Sequence, residues 1–124
     1  MAMPRLGHWL VGAALAGTLV AAQAGTGYRD PLDVPAQASP MAARGTLVAV
    51  TRTPGGRLVA VGRHGLVLTS IDGKAWQQAA VPVSTDLVAV CFPSALQGWA
   101  VGHGGTVLHS SDGGQSWHKQ LDGR

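Results

Sequence analysis

The strongest constraint on this chain is an internal duplication. Displaced against itself by forty residues, Thr46–Gly73 falls on Asp86–Gly113 with 13 identities in 28 ungapped positions. Leu47-Val48-Ala49-Val50 aligns with Leu87-Val88-Ala89-Val90, Ala60-Val61-Gly62 with Ala100-Val101-Gly102, and Asp72-Gly73 with Asp112-Gly113. Coincidence in a chain rich in Gly, Val and Ala would give about three or four matches. Beyond Gly73 the copies slip by one residue, so that Trp76 answers Trp117.

A period near forty suits either a propeller blade or a two-helix repeat, and local pattern decides between them. Each copy holds short β-rich runs between Gly-containing turns: Leu47–Thr51, Arg57–Val61, Leu66–Ser70 and Trp76–Val81, then Leu87–Phe92, Gly98–Val101, Thr106–Ser110 and Trp117–Gln120. No apolar series at helical spacing survives these interruptions. Composition agrees, because the chain contains no Glu, no Asn and only two Lys, which removes the usual material of helix surfaces. Four strands per copy predict an all-β chain of four-stranded antiparallel sheets.

The strands are almost continuously apolar, as in Leu58-Val59-Ala60-Val61, and such strands need cover on both faces. Two sheets can cover only the faces between them. If each outer face leaves about 400 Å² of apolar surface wet, each forgoes about 10 kcal/mol, comparable to the whole net stability of a domain. The sequence therefore reads as a fragment of a larger array or a unit that associates.

The connection Ser110-Ser111-Asp112-Gly113-Gly114-Gln115-Ser116-Trp117 fits Ser-x-Asp-x-Gly-x-Ser/Thr-Trp in full, and resembles the Asp-box of bacterial-neuraminidase-type repeats. Ser70-Ile71-Asp72-Gly73-Lys74-Ala75-Trp76 is a version one residue shorter, without the second hydroxyl. The chemistry of these residues is structural. An Asp opening a tight turn accepts from backbone N–H groups two residues on, the glycines permit positive φ, and the Trp buries a large ring. Ser70, Asp72, Gly73 and Trp76, with Ser110, Asp112, Gly114, Ser116 and Trp117, are the expected structural set. A lone carboxylate makes a poor calcium site.

The longer run from Gly98-Trp99-Ala100-Val101-Gly102 to Trp117 is similar to the blade signature of the photosystem II stability/assembly factor family. That resemblance covers about Leu47–Arg124. It implies a β-propeller of seven blades, of which this sequence holds two, in a non-enzymatic exported scaffold that binds or helps to assemble a membrane-protein complex. It also implies surface arginines at the partner contact, for which Arg52, Arg57 and Arg63 are the candidates. The alternative is a fragment of a sialidase-like glycoside hydrolase, which needs an arginine cluster, a Tyr nucleophile and a Glu. The chain has no Glu, and its one Tyr, Tyr28, lies outside the repeats.

Residues 1–24 have the three parts of a signal peptide: Arg5, an apolar stretch Trp9–Ala22, and Ala22-Gln23-Ala24 for cleavage. The expectation is a signal helix over 1–24, an extended lead-in over 25–45, blade repeats over 46–84 and 85–124, and a periplasmic or secreted mature chain. The formal charge of +3 is spread over scattered arginines, which argues against nucleic acid. Cys91, the only cysteine, reads as a small buried hydrophobe. Zinc would want three or four converging ligands; His64 and His103 fall in turns and His109 and His118 flank the second box, with no thiolate or carboxylate cluster beside them. No cofactor, metal or catalytic residue is expected, and a protein partner is, with self-association through uncovered sheet faces.

Overall fold

The computed structural model describes residues 27–124. The signal segment expected over 1–24 lies outside the described residues. Among the described residues eight strands form: β1 (Leu47–Arg52), β2 (Leu58–Gly62), β3 (Val67–Ser70), β4 (Gln77–Gln78), β5 (Leu87–Cys91), β6 (Gly98–Gly102), β7 (Thr106–Ser110) and β8 (His118–Leu121). They make two four-stranded antiparallel meanders, β1-β2-β3-β4 and β5-β6-β7-β8. The described residues are all-β apart from short 3-10 turns, and their sheets are propeller-type blades.

The duplication extends to irregularities. Each sheet shifts register in its first strand, between Leu47 and Ala49 and between Leu87 and Ala89. Val48 and Val88 are the extra residues, and both are exposed. Opposite each bulge stands a glycine: a Cβ at Gly62 would lie 2.0 Å from Thr46 O, and one at Gly102 would lie 2.2 Å from Asp86 O. The Ala-Val-Gly runs of the sequence thus end in glycine because the neighbouring backbone occupies the space of a side chain.

Register assigns two faces to each sheet. Val50, Ala60 and Leu68 share the front of the first sheet, while Ala49, Val61 and Val67 share its back. Val90, Ala100 and Leu108 take the equivalent front of the second. The front of the second packs on the back of the first. One buried cluster joins Val59, Val61 and Val67 to Leu87, Phe92, Ala100, Leu108 and Trp117.

The outer faces are only partly covered: Ala60 and Leu68 on the front of the first sheet are buried, while Leu47 and Val50 beside them are open. Leu87 is 0% exposed, whereas its counterpart Leu47 is 43% exposed; Val61 is 0% and its counterpart Val101 38%. At these two positions identical residues differ in burial because a neighbouring sheet covers one copy and not the other. Cys91 is exposed, against the expectation of burial. It sits opposite Trp99 on the back of the second sheet, where no strand of the described residues covers it.

The fourth strand of the first blade is shorter than the expected Trp76–Val81. After Gln78 the backbone bonds to several segments: Ala79 N donates to Val67 O, Ala80 bridges in parallel to Ser116, and Val81 O accepts from Ala36 N at 3.0 Å. Pro82 then offers no N–H to extend a ladder.

The lead-in forms two 3-10 turns, Pro31–Asp33 and Ala42–Arg44, and acts as a strap across both blades. Leu32 is buried beside Gly104 of the second blade. Lys119 Nζ donates to Leu32 O at 2.8 Å, and Ser84 N donates to Pro31 O at 2.9 Å. On the first blade, Gln78 Nε2 donates to Gln37 O and Ser39 N donates to Gln78 Oε1. Arg124 closes the strap with a forked pair of bonds to Asp33, 2.9 and 2.8 Å, and a third bond of 2.9 Å to Asp122. The Arg124 guanidinium, with help from Lys119, holds the Asp33 carboxyl down to about 2. Arg124 and Lys119 together push Asp122 lower still.

Candidate functional site

The two Asp-boxes lie at the same end of the sheets, in the connections β3–β4 and β7–β8. In the second, Asp112 Oδ1 accepts from Ser110 Oγ at 2.8 Å and from Gln115 N and Ser116 N at 3.0 Å each. Asp112 Oδ2 accepts from Ser116 Oγ at 2.5 Å. Ser110 Oγ in turn accepts from Gly114 N at 2.9 Å. Partial burial pushes the Asp112 carboxyl upward, but the bonds from Ser116 and its neighbours outweigh it and leave the pKa below the ordinary aspartate value.

Trp117 finishes the turn. Its Nε1 donates to Gly114 O at 2.9 Å, and its ring meets Phe92 edge-on at 5.8 Å between centroids. Gly114 has φ of 94°, and a Cβ added there would come within 3.1 Å of Val59 Cγ2 in the first sheet. The second box is thus wedged into the junction between the blades.

The first box makes the same turn with fewer bonds. Asp72 Oδ1 accepts from Lys74 N at 2.8 Å, Ala75 N at 3.0 Å and Ser70 Oγ at 3.2 Å, and Ser70 Oγ accepts from Gly73 N at 2.7 Å. The backbone donors of Ala75 and Lys74 lower the Asp72 pKa. Nothing replaces the Ser116 hydroxyl. Trp76 is half-buried and borders an open apolar groove with Leu47, Val48, Val50 and Ala60. In both boxes every carboxylate bond is spent inside the turn, and a carboxyl with a lowered pKa holds no proton to donate near neutrality.

The three arginines do not converge. Arg52 and Arg57 flank the β1–β2 turn at the box end, where Arg52 donates to Gly56 O at 3.3 Å. Arg57 stands beside Gly113 and walls two grooves. One, of about 250 Å³, runs between the boxes past Thr69, Asp72, Gln77 and Gln115. The other, of about 190 Å³, reaches Thr53, Leu96, Asp112 and Gly113. Arg63 lies at the opposite end, 3.7 Å from Asp86.

Asp86 had no signal in the repeat, because Thr46 stands at the equivalent position. Its backbone O accepts from His103 N as Thr46 O accepts from Arg63 N. Its side chain adds a reach across the blades, with Oδ1 accepting from His64 N at 2.9 Å. That bond lowers the Asp86 pKa and fixes His64, the only non-glycine among the described residues with positive φ.

The remaining histidines sit elsewhere. The His109 ring lies tilted against Trp99, 4.8 Å between centroids, and contacts Gln97 Oε1 at 2.7 Å, opposite His118 on the back of the second sheet. No three His, Cys, Asp or Glu side chains among the described residues come together as metal ligands. Tyr28, the chain's one tyrosine, is 88% exposed in the lead-in.

Comparison with known proteins bears on the second repeat most strongly. Residues 68–123 match the family described as Photosynthesis system II assembly factor YCF48. A solved structure titled "YCF48 bound to D1 peptide" superposes with a TM-score of 0.52 at 21% identity. The match covers 67% of this chain and 27% of that one, so the chain spans about a quarter of the length of the solved protein. No curated protein matches it.

Proposed function

We propose, from the premise that residues 68–123 are a segment of the photosystem II assembly-factor family, that this chain is a non-enzymatic protein-binding scaffold. Its partner is a segment of a membrane-protein complex, and it works outside the cytoplasm after removal of residues 1–24. The observation that carries the reading is the family match over the second repeat and its box. The solved protein of similar fold is bound to a D1 peptide, which supports a peptide as the ligand class. The geometry supports a binding role because the conspicuous polar residues, Asp72 and Asp112 with their serines, are consumed in holding turns.

The contact surface is the box end around Arg57, whose guanidinium borders both grooves. A cation flanked by the amide groups of Gln77 and Gln115 suits an extended peptide with a carboxylate or exposed carbonyls. The test is fluorescence anisotropy of a labelled D1 peptide titrated with the purified chain. Saturable binding that weakens about tenfold in Arg57→Ala, the loss of one charge-assisted contact, supports the proposal. No binding at any soluble concentration, or binding indifferent to Arg57→Ala and Arg52→Ala, overturns it.

A further inference from the structure

The strap does not meet the two blades alike. On the second blade it seats the buried Leu32 over the turn between β6 and β7, where Gly104 has φ of 72° and a Cβ would lie 3.1 Å from Leu32 Cδ2. On the first blade the strap loops from Pro31 to Gly45 and frames a cavity of about 510 Å³ against the turn between β2 and β3. That volume falls within the roughly 300–1,000 Å³ usual for small-molecule sites. The walls are the strap, this turn and Ser84, with Gln78 alone drawn from a strand. The cavity is therefore bounded at the end of the sheets and not by an outer sheet face.

His64 stands in this turn where the second repeat has Gly104. Its φ of 58° costs a residue with a side chain more than it costs glycine, and Asp86 Oδ1 holds it there by accepting from His64 N at 2.9 Å. A strained residue kept where the other repeat uses glycine points to a use for its side chain. His64 lines the cavity beside Arg63, and Arg63 is the one charged residue of the lining. Asp86 Oδ2 lies 3.7 Å from Arg63 Nε, which leaves the two terminal nitrogens to a ligand. Gln78 and Ser84 also line the cavity, but their side chains are bonded to the strap carbonyls of Gln37 and Pro31. Val34, Pro35 and Leu66 make the wall apolar elsewhere.

We propose that this cavity binds a small carboxylic acid with an apolar body. The carboxylate takes two parallel N–H bonds from the Arg63 guanidinium, whose planar fork matches it, and a third from the His64 ring. The body of the acid lies along Val34, Pro35 and Leu66. A monocarboxylate fits better than a phosphate, whose further oxygens would face apolar walls without donors. The cavity is at the end of the sheets opposite the Arg57 grooves, so the inference stands apart from the peptide-binding proposal.

The experiment is a titration of the isotopically labelled chain with octanoate, followed by amide chemical shifts, with octan-1-ol as the uncharged analogue. Saturable shifts are expected at Arg63, His64 and Leu66 and in the strap near Val34, with the box residues Gly73 and Gln115 unmoved. Arg63→Gln is expected to weaken binding about tenfold, the loss of a charge-assisted contact, and octan-1-ol to bind weaker than octanoate by a similar factor. His64→Gly places the second repeat's own residue in the turn and keeps the backbone N–H that bonds Asp86. It is expected to retain the fold and to weaken octanoate binding several-fold, which a purely structural histidine would not do. No saturable shift at any soluble concentration overturns the proposal. So do shifts confined to the apolar residues Leu47, Val50 and Trp76, equal affinity for octan-1-ol, or affinity indifferent to His64→Gly. If Arg63→Gln loses the circular dichroism of the folded sheet, His64→Gly and the comparison with octan-1-ol decide the outcome.

Discussion

Leu87 and Leu47 occupy the same position of the two repeats, and truncating each measures what the neighbouring sheet contributes. Leu87 is fully buried against the first blade. Leu87→Ala removes three carbons, about 2.4 kcal/mol of transfer free energy at about 0.8 kcal/mol per methylene. The cavity left under a neighbour that cannot collapse raises the cost to about 3–4 kcal/mol. Leu47 is 43% exposed and buries a little over half of its side chain. Leu47→Ala leaves an open notch rather than a cavity, so its cost is about 1.3 kcal/mol. The assay is urea unfolding followed by far-ultraviolet circular dichroism, at a concentration where the chain is monomeric. With a slope of about 1 kcal/mol/M, the midpoint falls by about 3 M for Leu87→Ala and about 1 M for Leu47→Ala. Equal shifts, or a larger shift for Leu47→Ala, would refute the reasoning that Leu87 is packed under a neighbouring sheet and Leu47 is not.

The second box gives two further tests. Asp112→Ala strips four donors of their acceptor, of which Ser116 N is part-buried, and lowers stability by about 2–3 kcal/mol in the same unfolding assay; Asp112→Asn, which keeps one acceptor oxygen, recovers part of the loss. Gly114→Ala and Gly56→Ala both force alanine to a φ near +90°, but only at Gly114 does the new Cβ meet a neighbour, Val59 Cγ2 at 3.1 Å. Gly56→Ala should cost about 1 kcal/mol and Gly114→Ala about 2–3 kcal/mol, read from the same midpoints. The strap gives a pH dependence. Asp33 and Asp122 have folded pKa values below an unfolded value of about 3.9, so their stabilisation is complete above about pH 4 and is lost as pH falls toward about 2. The melting temperature of the wild type should fall through that window, and Arg124→Ala should flatten the fall; an unchanged slope in the variant would contradict the Arg124 pairing.

Most of the blade architecture was legible because it is written twice. Strand positions, the turn chemistry of Asp112 and Gly114, and the partly covered outer faces all follow from residues that recur at the same offset. What escaped the sequence is what occurs once. The strap depends on Asp33 meeting Arg124 across 91 positions, with no periodicity to announce it. Asp86 links the two blades by its bond from His64 N, at a position where the other repeat has Thr46. Cys91 was misjudged because its strand is apolar on both faces, and local pattern does not reveal which face another sheet covers. The scattering of Arg52, Arg57 and Arg63 to opposite ends likewise depends on strand direction, since Arg57 immediately precedes β2 and Arg63 follows its last residue.

The central claim is that the second Asp-box is a structural wedge between two stacked copies of one sheet. Nuclear Overhauser contacts in the labelled chain test it most directly. The account predicts strong contacts from the Val59 methyls to both Gly114 Hα and the Phe92 ring, residues that belong to different repeats. Absence of those contacts in a chain that still shows the β5–β8 ladder would contradict it.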